Sequence, residues 1–195
     1  MSQKDQLKWD KKYTDNPRLL ESREASVIVQ RFSKLASGKK ALDIACGTGR
    51  NTLYLAQNGF EIDALDISAV ALQELSQHMN KVTDLSFIHT QLVDLDQYSP
   101  PLSHYNLIIN IHFLDRSLIS KLGKALKKDG ILIVETYMQD DENEKPNSNP
   151  DFLLKKDELP SYFNDDYEIL GYEEFWNDNN ELYRMRKQAI VVKRV

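Results

Sequence analysis

Ala41-Leu42-Asp43-Ile44-Ala45-Cys46-Gly47-Thr48-Gly49-Arg50-Asn51 is the stretch from which the fold can be worked out. Lys40 to Ala45 is a short apolar run that contains an acidic residue and closes on a Gly-x-Gly turn. Asn51 to Asn58 then carries Leu53, Leu55 and Ala56 on one side before Gly59. The pattern reads as strand, tight turn and helix, with Gly59 as the stop, because glycine readily takes the left-handed conformation that ends helices.

Working outward, Phe60 to Leu65 is a second strand, and Ser68 is an N-cap for a helix running to about Met79. Leu85 to Val93 gives a third strand and Tyr105 to Ile111 a fourth that is almost wholly apolar, as suits strands covered on both faces. Ser117 to Lys128 reads as a helix stopped at Asp129-Gly130, and Ile131 to Thr136 as the fifth strand. Upstream, Arg18 to Ala36 shows helical spacing up to Gly38. Gln139 to Pro150 is polar and acidic and reads as a loop; Leu153 to Phe163 is a weaker helix interrupted by Pro160. Tyr167 to Tyr172 and Gln188 to Val192 are closing strands joined across a polar bend, Asn177 to Asn180. No helix is available there for a parallel crossover, so an antiparallel C-terminal strand is expected. The alternation as a whole predicts a doubly wound α/β sheet, mostly parallel, with helices on both faces.

With 195 residues, and about 150 residues per domain, one domain is expected over 1–195. It divides into an N-terminal helical cap (1–38), a cofactor-binding core (39–137) and a substrate-side loop, helix and strand pair (138–195). Thirty acidic against twenty-five basic residues, net charge −5, disfavour a general nucleic-acid binder, which gains most of its affinity from neutralising phosphates. The apolar runs fall short of the ~20 residues a membrane span needs, and Met1 to Asp10 carries no apolar leader. The single cysteine, Cys46, excludes an intrachain disulfide framework, and the four histidines lack paired ligand spacing, so no metal is expected. A cytoplasmic compartment follows.

The Gly47-Thr48-Gly49 turn sits where open α/β sheets bind ligands, beyond the carboxyl ends of the strands. Thr52 stands where a dinucleotide fingerprint needs its third glycine, and no Lys-Ser/Thr follows for a phosphate loop. Asp43 would repel a pyrophosphate but could hold an ammonium. A cofactor with an amino-acid end and no phosphates fits better. Asp66 follows the second glycine at roughly the 20-residue interval at which an acidic residue grips ribose hydroxyls. Ile67 would lie against adenine, and Asp94, in Val93-Asp94-Leu95, could accept from the adenine amino group.

These parts, in this order, resemble class I S-adenosylmethionine-dependent methyltransferases with their Rossmann-like seven-stranded sheet. Gly47-Thr48-Gly49-Arg50-Asn51, Phe113-Leu114-Asp115-Arg116, Leu126-Lys127-Lys128-Asp129-Gly130 and Glu135-Thr136-Tyr137 resemble the tellurite-resistance type among them. The likeness runs from Trp9-Asp10-Lys11-Lys12-Tyr13 to the C-terminal strand. It implies S-adenosyl-L-methionine as cofactor, S-adenosyl-L-homocysteine as product, and a small-molecule acceptor such as a chalcogen oxyanion or thiol. Asp43, Ala45, Gly47, Gly49, Arg50, Asp66, Ile67, Val93, Asp94, Leu95 and Asn110 are the expected cofactor residues, with Asn110 toward the methionyl end.

On the acceptor side the candidates are His112, Arg116, Tyr137 and Arg184. His112 is a general base or a satisfied histidine. Arg116 binds an anion or caps nearby backbone. Arg50, unfavourably placed at a helix start, has a partner in the cofactor carboxylate or Asp115, or is solvated. Trp9 and Tyr13 form a lid or merely dock their helix, and the 138–150 loop is a candidate gate. Cys46 reads as a buried filler rather than a nucleophile. Two other functions stay open: an RNA- or protein-modifying methyltransferase, and a cofactor-binding sensor or scaffold without turnover.

Overall fold

A computed structural model describes residues 3–80, 87–145, 148–177 and 181–195. The elements, in chain order, are α1 (Gln3–Asp15), α2 (Val27–Phe32), β1 (Lys40–Ile44), α3 (Arg50–Gln57), β2 (Glu61–Asp66), α4 (Ala69–Met79), β3 (Ile88–Leu92), β4 (Tyr105–Ile111), α5 (Arg116–Ala125), β5 (Leu126–Tyr137), β6 (Tyr167–Trp176) and β7 (Arg186–Arg194). One seven-stranded sheet runs in the order β3-β2-β1-β4-β5-β7-β6. Pairing is parallel from β3 to β5, and β7 enters antiparallel to both β5 and β6.

Alternation along each strand divides the core into two layers, because successive side chains point to opposite faces. Leu42, Ile44, Ile108, Leu132, Val134, Ile190 and Val192 pack with Leu118 and Leu122 of α5. Ala41, Leu107, Ile109, Ile131, Ile133, Ala189 and Val191 pack on the other face with Val29, Leu55, Phe60 and Leu75. Coverage on both sides is what the continuous apolar runs of β4 and β5 require. Among the described residues no helix is long and apolar enough to cross a membrane.

Several local expectations hold: the Ser68 hydroxyl accepts from the backbone N–H of Ala71 as an N-cap, and Gly59 takes φ 80° after α3. Others are corrected. Arg18 to Ala36 is not one helix; a 3₁₀ turn (Pro17–Leu19) is followed by an extended segment, and only Val27–Phe32 is α-helical before a second turn. The Asn51 side chain accepts from the backbone N–H of Ser26, which holds the segment before α2 extended against α3. The helix expected to Lys128 stops at Ala125, where Arg194 of β7 donates to the carbonyls of Lys124 and Leu126. Leu153 to Phe163 is not helical beyond a 3₁₀ turn (Leu159–Tyr162), with another at Pro150–Phe152. Arg116 takes the carbonyls of Asp151 and Leu153 and the Glu158 carboxylate, pulling this segment into an irregular path. Leu85 of the third strand, and residues 178–180 of the polar bend, lie outside the described residues.

Asp115 N-caps α5, accepting from the backbone N–H groups of Ser117 (2.8 Å) and Leu118 (3.3 Å). Replacing it by alanine is expected to cost about 1 kcal/mol. Thermal unfolding of Asp115→Ala should then fall by about 2–4 °C, the shift that energy produces in a chain of this size.

Candidate active site

At the C-terminal edge of the sheet, β1 and β4 are neighbours although β2 and β3 intervene in sequence. The connections leaving them diverge, which opens a crevice at the strand ends. Its two lips carry left-handed residues other than glycine: Ala45 (φ 54°) after β1 and His112 (φ 64°) after β4. Such backbone costs about 1–3 kcal/mol per residue and persists only where the surroundings enforce it.

The glycine turn follows β1. Gly47 and Gly49 have φ of 56° and 82°. A Cβ on Gly49 would collide with the Leu75 side chain of α4, and one on Gly47 would stand 2.9 Å from the Tyr13 hydroxyl. Helix α1, which buries none of its own residues, lies over this turn. Asp10 fastens it, accepting from the Ser68 hydroxyl (2.6 Å) and the backbone N–H of Val70 (3.2 Å) at the start of α4. The Trp9 and Tyr13 rings are tilted against each other with centroids 6.2 Å apart, and it is Asp10 that docks the helix and the Tyr13 hydroxyl that stands by Gly47 of the turn.

Beneath the turn two carboxylates are buried side by side. Asp43, 2 % exposed, accepts from the Thr52 hydroxyl at 2.6 Å. Asp66, 7 % exposed, accepts from the backbone N–H groups of Gly47 and Ser68, both at 2.8 Å. Burial pushes Asp43 up to about 7, with Asp66 adding to the rise and Thr52 and Arg50 opposing it. Asp66 is raised by burial too, against three backbone hydrogen bonds. The Cys46 thiol is driven well above its ordinary range by burial and the two aspartates, so it is not an activated nucleophile.

Around this pair, Ile67 is nearly buried and Leu95 fully so, while Val93 and Asp94 are half-buried. Val93 donates its N–H to the Asp66 carbonyl, and Asp94 accepts from the backbone N–H of Asp96. A hollow of about 360 Å³ adjoins the Asp94 turn, lined by Asp96, Phe113, Leu114, Asp115, Ser117 and Phe152. Asn110, between Ile44 of β1 and Val134 of β5, is fully buried, and neither its amide nitrogen nor its oxygen has a partner. Arg50 makes no ion pair among the described residues, but its charge is felt by Asp43 and by Tyr137. Asp115 is spent on capping α5 and does not pair with it.

The acceptor-side candidates separate. His112 and Tyr137 stack at 5.1 Å. They form a cluster with Glu135, Glu181 and Lys187, which the sequence reading missed. The available signal was a charged residue beside an apolar run, Glu135 directly after residues 131–134 on β5 and Lys187 just before residues 189–192 on β7. Arg116 and Arg184 are not in this cluster. Arg116 is taken up by Glu158 and two carbonyls, the backbone-capping alternative. Arg184 stacks on Trp176 at 3.6 Å and pairs with Glu142 at 3.2 Å. The acidic loop is tied to the start of β7: Glu144 donates its N–H to the Arg184 carbonyl, and Asn143 accepts from the N–H of Arg186.

A family profile described as "Tellurite resistance protein TehB" matches residues 2–193. The chain belongs to the TehB family. The probable S-adenosyl-L-methionine-dependent methyltransferase TehB of Haemophilus influenzae (strain ATCC 51907 / DSM 11121 / KW20 / Rd) is 28% identical over 149 residues, 73% of this chain and 50% of that protein. The chain thus spans about half the length of that curated relative. The crystal structure of TehB from Haemophilus influenzae superposes with a TM-score of 0.75 at 24% identity, covering 88% of this chain and 63% of the other. Coclaurine N-methyltransferase, solved bound to N-methylheliamine and SAH, superposes at 0.63 with 16% identity over 86% and 70% of the two chains. These superpositions show the methyltransferase form of the Rossmann-like fold.

The residues at the crevice of this TehB-family chain fit S-adenosylmethionine in three respects. Asp43 and Asp66 are buried together at an electrostatic cost that a cationic ligand relieves. Asn110 offers a buried donor and acceptor with no protein partner, a condition rare in native proteins and one that calls for an explanation. The glycine turn presents backbone without side chains.

The Asp43 carboxyl makes stability depend on pH in an unusual direction. Its folded value near 7 lies above the unfolded one, so between about pH 4 and pH 7 the folded chain holds a proton that the unfolded chain has lost. That contribution is present at low pH and disappears as pH rises through the window. Urea midpoints of Asp43→Asn, which cannot titrate, should gain on those of the native chain as pH rises from 4 to 7. A constant difference across that range would remove Asp43 as the titrating group.

Proposed function

We propose that the chain is an S-adenosylmethionine-dependent methyltransferase acting on a small-molecule acceptor, of the chalcogen oxyanion or thiol kind. The observation that carries the reading is the Asp43–Asp66 pair buried beneath a glycine turn, with the unpartnered Asn110 beside it. When bound, S-adenosylmethionine supplies a methyl group already activated on a sulfonium.

The chain's own residues then have three tasks. Asp66 would take the ribose hydroxyls, through the lone pairs left free by its backbone donors. Asp94, Val93 and Leu95 would bound the adenine with Ile67. Arg50 would face the cofactor carboxylate, and Asn110 and Asp43 the rest of the methionyl end. The second task is to exclude water, which α1 serves with Trp9 and Tyr13 over the turn. The third is to align the acceptor, and orientation alone is worth about 7–11 kcal/mol of barrier. The name of the Haemophilus influenzae relative supports the same chemistry.

Calorimetric titration with S-adenosylmethionine and S-adenosylhomocysteine, with NAD as control, tests the reading. Both of the first two should bind and NAD should not. Asp66→Ala is expected to lose about 1.5–3 kcal/mol, roughly ten- to hundredfold in affinity, the worth of hydrogen bonds to a charged group. An unchanged dissociation constant would refute the ribose assignment, and binding without methylation of any acceptor would favour a sensor.

A further inference from the structure

Lys187 is the least expected residue at the crevice. It is 4 % exposed, on β7, and its Nζ lies 2.8 Å from His112 Nε2, 3.1 Å from a Glu135 oxygen and 2.6 Å from a Glu181 oxygen. An ammonium has three protons and no lone pair, so these three neighbours use it completely. The same His112 Nε2 lies 3.4 Å from the Glu135 oxygen, but the 2.8 Å contact with the ammonium is the shorter one, which makes Nε2 the acceptor there and leaves the ring's one proton on Nδ1. The backbone fixes the ring's place as well. His112 donates its own N–H to the Glu135 carbonyl at 2.7 Å, and its left-handed φ and the stack on Tyr137 hold it. Nδ1 has no partner among the described residues, and the side chain is 29% exposed.

We propose that Lys187, steadied by Glu135 and Glu181, is a positioning residue that locks His112 as the neutral Nδ1–H tautomer. In that state the histidine presents the acceptor with a hydrogen-bond donor and not with a base. The inference rests on the methyltransferase reading for its consequence, which is a restriction on substrate: the nucleophilic atom must arrive without a proton. The acceptor's lone pair forms the bond to the methyl carbon as the carbon–sulfur bond breaks and its electrons return to sulfur. An anion that enters unprotonated leaves no proton to be disposed of.

The other groups facing His112 are poor bases. Burial alone would raise Glu135, but His112 and Lys187 outweigh it and hold the carboxyl below its ordinary range, the His112 share coming through the 3.4 Å contact that competes with the one to Lys187. Glu181 is likewise pulled down to about 2, against burial, by Lys187, Tyr137 and Asn177. Tyr137 donates its proton to Glu181 at 2.6 Å, and burial and that carboxylate raise it far above its usual value, with only Arg50 opposing. Carboxylates this acidic, and a phenol this reluctant, make poor bases.

The test is a long-range ¹⁵N–¹H correlation spectrum of histidine-labelled protein, with His112 assigned by its loss in His112→Gln. The native chain should show the Nδ1–H tautomer, Lys187→Met should convert it to the Nε2–H form, and Lys187→Arg should retain it. A native His112 protonated on Nε2, or on both nitrogens at pH 8, overturns the lock even if Lys187→Met does not fold. Addition of selenite, with S-adenosylhomocysteine present, should move the Nδ1 resonance; no movement overturns the donor role. With a series of thiols, the acid limb of kcat/KM should follow each thiol's own pKa one for one. A limb fixed at one pH for all thiols reveals a protein base and overturns the proposal. Native tautomer and selenite response in a protein that methylates no acceptor of any class would refute the methyltransferase reading while leaving the lock in place.

Discussion

Burying Asp43 and Asp66 next to each other is costly, since the effective penalty for taking an ion out of water is several kcal/mol. Much of the surrounding structure can be derived from how that cost is reduced. The Thr52 hydroxyl on Asp43 ties α3 to β1. The backbone N–H groups of Gly47 and Ser68 on Asp66 tie the glycine turn to the start of α4. Both contacts draw helix N-terminal segments toward negative charge, where the helix dipole adds to the hydrogen bonds. Gly49 must be glycine partly because α4 comes so close that Leu75 fills the space of its missing side chain. What remains uncompensated is negative charge, and a cationic ligand in the crevice would offset it.

Helix α1 belongs to the same arrangement but is attached differently. It buries no residue, and its hold on the body is polar: Asp10 on Ser68 and Val70, with Tyr13 set over Gly47. An element with few buried apolar contacts opens at little cost in free energy. The helix that covers the turn is thus the one best suited to move aside, while the strands beneath, packed on both faces, stay fixed.

The glycine-turn half of the crevice, as a piece of structure, was legible in the sequence because each part is local. Glycines mark the turn, an acidic residue lies at or near each of three strand ends, and Ser68 marks the next helix within a few residues. Where the reading failed, the deciding contact came from far along the chain. The end of α5 is set by Arg194 of β7. The path of residues 150–163 is set by Arg116, whose guanidinium competes with helical hydrogen bonds for the carbonyls of Asp151 and Leu153. Propensity and spacing carry no trace of such partners, which is why Leu153 to Phe163 looked helical and Arg116 stayed open between an anion site and a backbone cap.

The acceptor half is illegible for a topological reason. In a parallel sheet every strand delivers its last residue to the functional edge, so a reader can collect strand ends in order. The antiparallel β7 delivers its first residues there, with Lys187 opposite Tyr137 in the register. Glu181 arrives from just before that strand, and Glu135 from the end of β5. The reversed strand therefore brings to His112 two side chains, Lys187 and Glu181, that no strand-end motif would gather. Because β7 lies between β5 and β6, it carries a neighbour on each side, and Lys187 is buried along with its apolar middle while Arg186 before it is half-buried. The same reversal that lets the chain finish without a crossover helix places an ammonium where it fixes the protonation of the histidine across the crevice.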